Sequence, residues 1–119
     1  MKTKEFYTAI TTEDLEKTLD FYVGTLGFHV VHQLQLPNGN ITVLENDKGA
    51  KLDVIEVPGA PAGFHALRTN VDDIDAAAAE LKEKGYEILA GPIENTTGKA
   101  MLVKDPNGVL IDIAQHIKK

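Results

Sequence analysis

The sequence predicts an α+β fold of two βαβββ units, with curved mixed sheets and the helices on their outer side. The first observation is a repeat: an offset of 59 positions carries Asp14 onto Asp73, and Leu15, Leu19 and Tyr22 onto Ile74, Ala78 and Leu81. The same offset carries Gly49 onto Gly108 and Asp53 onto Asp112, so it holds from an amphipathic stretch through to a terminal strand, as duplicated supersecondary units do. The second is that strand-like runs bracket one helix-like stretch in each half, a pattern that packs helices on one side of a sheet. The third is the spacing of turn chemistry between those runs.

Residues 4–10 (Lys-Glu-Phe-Tyr-Thr-Ala-Ile) read as a strand, partly alternating and rich in aromatic and β-branched types. Thr11 and Thr12 are candidate helix N-caps, with Glu13 and Asp14 following where the helix dipole favours negative charge. Leu15, Leu19, Tyr22 and Leu26 mark one helical face, and Gly27 fits the position just past its end. Phe28 to Leu36 is the next strand. Asn38-Gly39 signals a type I′ hairpin, Ile41 to Glu45 returns, Asp47-Lys48-Gly49 turns again, and Ala50 to Val57 closes the unit.

Pro58 to Gly63 is the linker, all turn chemistry. Phe64 to Thr69 opens the second copy as a strand. Asp72 or Asp73 caps a helix that buries Ile74, Ala78 and Leu81 and ends at Gly85, after Lys82 and Lys84. Tyr86 to Leu89, Ala100 to Val103 and Val109 to Ala114 are strands, with Asp105-Pro106-Asn107-Gly108 as the last tight turn. Residues 1–119 thus form one domain: a first unit at 4–57, a linker at 58–63 and a second unit at 64–116. The Ala76–Ala79 run reads as helix propensity with close packing.

Bulk properties narrow the function classes. A hydrophobic content of 43% and a charged content of 25% are those of an ordinary globular protein. The start, Met1 to Glu5, leads into no apolar run, so neither signal peptide nor membrane span is expected. Zero cysteines exclude disulfides and thiolate metal sites, and a cytoplasmic location is the expectation. A net charge of −6 without a Lys/Arg cluster argues against nucleic acid or a membrane surface as partner. There is no serine and no Gly-rich phosphate loop, so a Ser or Cys triad and a nucleotide fingerprint are excluded.

The wording of the repeat resembles the vicinal oxygen chelate superfamily, the glyoxalase, bleomycin-resistance and extradiol-dioxygenase group. The matching stretches are Asp14 to Tyr22 with Leu26-Gly27-Phe28, Val71-Asp72-Asp73-Ile74 with Lys84-Gly85, and Asp105-Pro106-Asn107-Gly108-Val109-Leu110-Ile111-Asp112. The resemblance implies the fold over nearly the whole chain and does not select an activity, since the group holds lyases, isomerases, oxygenases and binders. It further implies a homodimer.

In metal-using members of that group, one position on the first and last strand of each unit supplies a ligand. These positions map onto Tyr7, Asp53, Ala66 and Asp112, where His or Gln, Glu, His and Glu are usual. A phenol keeps its proton to about pH 10 and is a poor ligand, and alanine is none. His65 neighbours Ala66, and on a strand it enters the same face only through a bulge. Asp53 and Asp112, with His65 in that bulged case, are the residual metal candidates. Two carboxylates without imidazole suit Mg or Mn better than Zn or Ni.

Alternation adds Arg68 to the face of Ala66, Lys51 and Ile55 to that of Asp53, Leu110, Ala114 and His116 to that of Asp112, and Ala9 to that of Tyr7. Tyr7, Asp53, Arg68, Asp112 and His116 are therefore the candidate ligand-binding residues. Each also has a plainer role: the carboxylates as partners of Lys51 and Arg68, Tyr7 as core lining, His116 as a frayed end. His29 and His32, three apart on one strand, are expected on opposite faces. No catalytic residue is assigned, although two close carboxylates that shift each other's pKa would suit general acid–base chemistry.

The expected function is binding of a small organic molecule, without metal or other cofactor, in a cavity lined by both units. The alternative is an enzyme of the same group, a lyase, isomerase or dioxygenase, using a divalent metal (Mg, Mn, Fe, Zn or Ni) on Asp53 and Asp112.

Overall fold

The computed structural model describes residues 1–116. It contains β1 (Phe6–Thr11), α1 (Leu15–Tyr22), β2 (His29–Leu36), β3 (Gly39–Glu45) and β4 (Lys51–Glu56), then β5 (Gly63–Asn70), α2 (Ile74–Glu83), β6 (Ile88–Asn95), β7 (Gly98–Lys104) and β8 (Leu110–His116). That is βαβββ twice, an α+β fold. The chain divides into two compact units: Tyr7–His65 (the first unit), and Met1–Phe6 with the chain from Ala66 onward (the second unit). The N-terminal residues join the second unit by backbone pairing, Lys4 N–H donating to the Asn70 carbonyl at 2.9 Å.

Each unit is a four-stranded mixed sheet with one helix on it. In the first, β2 pairs antiparallel with β3, β3 antiparallel with β4, and β4 parallel with β1. In the second, β6, β7, β8 and β5 repeat that order and those directions. On the helix side of the first sheet, Leu44, Leu52 and Val54 are buried under Leu15, Leu19 and Tyr22 of α1. On that of the second, Met101, Val103 and Ile113 pack with Ile74, Ala77 and Ala78 of α2.

The helix starts differ from the sequence expectation in the first unit. Asp14, not Thr11 or Thr12, is the N-cap of α1, its carboxylate accepting the Lys17 N–H at 3.1 Å. Thr12 instead accepts the Asp14 N–H at 3.0 Å and bonds the Thr18 hydroxyl at 2.7 Å. A carboxylate one turn from the open N–H groups is the stronger acceptor, so it takes the cap. Asp73 caps α2 the same way, on Ala76 N–H at 3.1 Å. Asp73→Ala is expected to cost about 1 kcal/mol of stability, read by urea denaturation, with the midpoint falling and the slope unchanged.

The end of α2 matches the reading, whereas α1 stops at Tyr22 with Val23 as its C-cap, so Leu26, expected on the helical face, lies beyond it and is 50% exposed. Gly85 (φ +84°) lets its N–H reach the Lys82 carbonyl and the Tyr86 N–H the Leu81 carbonyl, a Schellman closure. Gly27 (φ +83°) ends the turns after α1 and brings Phe28 N–H to the Tyr22 carbonyl at 2.9 Å.

The first hairpin corrects the Asn38-Gly39 reading. Leu36 pairs with Gly39, so the two-residue loop is Pro37-Asn38, and no non-glycine residue has positive φ among the described residues. Proline fixes φ near −65°, which rules out a type I′ turn there. Asn95 and Gly98 close the second hairpin in the same register, over Thr96-Thr97. The strand there, β6, runs on to Asn95 rather than stopping at Leu89.

Candidate functional site

The face of each sheet away from its helix carries the candidate residues. In the first unit the register sets them in cross-strand rows. Asp53 stands opposite Val43 on one side and Ala9 on the other. Ala9, Ile41, Val43 and Ile55 form a buried apolar cluster on this face. Asp53, only 4% exposed, sits within those rows, a placement unlike that of an ordinary surface carboxylate. Tyr7 is half-buried at the end of the face, and the Lys51 ammonium lies 4.4 Å from its ring centroid. That contact is a cation–π pair, and it brings the charge of Lys51, expected on the face of Asp53, to the Tyr7 position.

In the second unit Arg68 stands opposite Asp112 across the parallel pair β5/β8. The Arg68 Nη2 donates to Asp112 Oδ2 at 3.0 Å, both side chains being about one-fifth exposed. The ion-pair alternative weighed for these two residues is therefore the one found. One step further along the sheet, His116 Nε2 lies 2.9 Å from Asn70 Oδ1. His116 is exposed but held within β8, not frayed.

His65 is exposed and Ala66 fully buried, so the strand alternates there as expected and no bulge turns the imidazole inward. His29 and His32 contradict their expected separation. His29 pairs with Glu45 and His32 with Val43, two residues of one face, because Val31 is an extra residue between them. A bulge adds one to the count and so restores the same side. Both imidazoles are exposed on the face that bears Asp53.

Lys51, Asn70 and Glu5 enlarge the set of polar residues on these faces. Asn70 had a signal: Ala66, Arg68 and Asn70 are successive same-face positions, hidden only because the strand was read as ending at Thr69. Glu5 had none, since its place follows from N-terminal residues docking beside β5.

Two clefts open on the first unit. One of about 520 Å³ is lined by Thr12, Asn40, Glu56, Val57 and Pro58 among others, and a second of about 300 Å³ by Leu15, Gln33, Thr42 and their neighbours. None of the candidate residues lines either cleft.

The Ala66 position has no donor, the Asp112 carboxylate is bonded to a guanidinium, and an ammonium covers the ring at the Tyr7 position. Among the described residues no group of three His, Cys, Asp or Glu side chains is arranged to hold a metal.

The family profile of the Glyoxalase/Bleomycin resistance protein/Dioxygenase superfamily matches residues 5–113. The chain is 26% identical to a probable lactoylglutathione lyase of Synechocystis, over 95% of each chain. It is 29% identical to human mitochondrial methylmalonyl-CoA epimerase, over 92% of this chain and 72% of the relative. Among solved structures, a hypothetical protein of Bacillus halodurans superposes with a TM-score of 0.85 at 21% identity, covering 100% of this chain and 98% of that one.

Proposed function

Because the chain belongs to the glyoxalase/bleomycin resistance/dioxygenase superfamily, we propose that it binds a small organic molecule without a metal. The observation that carries this reading is Asp53, a carboxylate held at 4% exposure in an apolar sheet face. A carboxylate among apolar neighbours is the kind of placed polar group that orients a bound organic molecule. In the first unit Tyr7 with Lys51 supplies further polar contacts, and in the second Arg68 with Asp112 and His116 do. A site lined mainly by apolar side chains with a few placed polar groups is what small-molecule recognition needs.

The same reading makes the protein a cytoplasmic homodimer. Leu34 and Leu36 on edge strand β2, and Ile93 on edge strand β6, are 41%, 37% and 62% exposed, apolar surface that a second chain would cover. Among the described residues no helix is long and apolar enough to cross a membrane.

Native mass spectrometry of the protein as purified, without chelator, tests the proposal. A dimer without metal, bare or carrying an organic adduct, is expected. One tightly held metal per chain, surviving dialysis, sinks it. That result would favour the enzyme reading, which the lyase and epimerase names of two relatives support. In that reading Asp53→Asn and Asp112→Asn each abolish metal retention.

A further inference from the structure

The second unit contains a hydrogen-bonded chain that fixes the protonation of one imidazole. Asn70 Nδ2 donates to Glu5 Oε1 at 3.3 Å, and Asn70 Oδ1 lies 2.9 Å from His116 Nε2. An ionised carboxylate only accepts, so the Asn70 amide must turn its NH₂ toward Glu5 and its oxygen toward His116. That oxygen in turn only accepts, so His116 Nε2 carries the hydrogen. In neutral His116 the basic atom is then Nδ1.

The chain is anchored at both ends. Asn70 is 8% exposed, and its own carbonyl accepts the Lys4 N–H at 2.9 Å. The Thr69 hydroxyl donates to the Glu5 carbonyl, which fixes the backbone that presents the Glu5 carboxylate. His116 stands opposite Gly98, and its same-face neighbour Ala114 stands opposite Ala100. Beside the imidazole this leaves a narrow lane of Gly98, Ala100 and Ala114, bounded by Asn70 opposite Ala114 on β5 and by Ile93 opposite Ala100 on β6. Arg68, paired to Asp112, lies two residues from Asn70 on the same strand face, roughly 7 Å along the sheet.

We propose that His116 Nδ1 is the proton acceptor of a ligand site on this face, with Asn70 and Glu5 as its positioning residues. The ligand class is a small flat molecule with a weakly acidic O–H or N–H. Its plane lies on the Gly98, Ala100 and Ala114 floor. The proton passes from the ligand heteroatom to Nδ1, giving imidazolium, while Nε2–H keeps its bond to Asn70. The electron pair of the broken O–H or N–H bond stays on the ligand, and the negative charge so formed faces the Arg68 guanidinium. The inference rests on ligand binding at this sheet face, but the state of the imidazole can be read without any ligand.

The test uses the full chain with ¹⁵N-labelled histidine and long-range ¹H–¹⁵N correlation spectra. His116 is expected to show a protonated Nε2 and a bare Nδ1 when neutral. Asn70→Asp, which keeps an acceptor, should preserve that pattern, and Asn70→Ala should replace it with a tautomer mixture. A protonated Nδ1 in the native protein, or an unchanged pattern in Asn70→Ala, overturns the positioning. Titration with 4-nitrophenol then probes the site: its phenolate absorption should rise together with an imidazolium signal at His116. The phenolate rise should fall at least tenfold in His116→Gln. The predicted tautomer with no response to 4-nitrophenol would overturn the ligand assignment while leaving metal-free binding elsewhere on the chain intact.

Discussion

Gly98→Ala is expected to lower the unfolding free energy by about 3 kcal/mol, and Gly39→Ala by about 2 kcal/mol. The two glycines are equivalent in the repeat and open β7 and β3. A Cβ on Gly98 would run into the backbone carbonyl of Gln115, and one on Gly39 into that of Glu56. Neither obstacle is a flexible side chain that can swing away, so the strand pair itself must part, an overpacking cost of about 1–3 kcal/mol. Gly98 also sits at φ +146°, where an L-residue adds strain of about 1–3 kcal/mol, whereas Gly39 has no positive φ. The order of the two losses is therefore part of the prediction, and chemical denaturation of both variants reads it. Gly98 stands opposite His116, so its replacement should also disturb the His116–Asn70 contact and shift the His116 resonances. Equal losses in the two variants would show that only the overlap matters.

That the two glycines are equivalent was legible in the sequence, because the repeat places them 59 positions apart, from Gly39 to Gly98. What they do was not. Asn38-Gly39 reads locally as a turn pair, yet Pro37 displaces the loop by one residue, and the glycine is needed for room against the neighbouring strand. Helix periodicity, the Gly85 terminator and the two sheet faces were readable because each depends on local chemistry or on alternation. The Thr12 assignment failed where two good capping residues compete within three positions and only the backbone conformation decides, Asp14 being extended at φ −145°, ψ 92°.

The site was legible to the same depth. Alternation placed Asp53, Lys51 and Ile55 together, and Arg68 with Asp112, on faces away from the helices. It failed at His29 and His32 because the extra residue Val31 leaves no mark in the sequence. It missed the Glu5–Asn70–His116 chain because Glu5 is far from Asn70 along the chain and their meeting depends on strand-edge docking. The pairing of Arg68 with Asp112 is set by their distance across β5 and β8. Spacing alone cannot reach that.

Leu44→Ala should cost about 3–4 kcal/mol, the range for a buried leucine whose surroundings cannot collapse. Leu44 is 0% exposed and stands opposite Leu52 on the helix side of the first sheet. Leu52 and Val54, its companions in that cluster, flank Asp53 along β4. A void at Leu44 removes contacts from one side of β4 while the carboxylate remains on the other. The denaturation midpoint should fall at constant slope, and Leu26→Ala, 50% exposed in the turns after α1, should lose less than about 1 kcal/mol. If the two variants lost equal amounts, the helix-side cluster would not be the support of this sheet. If Leu44→Ala also weakened binding of a ligand that Asp53→Asn abolishes, the carboxylate's position would depend on that cluster. The helix side would then supply the stability that lets a buried carboxylate persist on the other face.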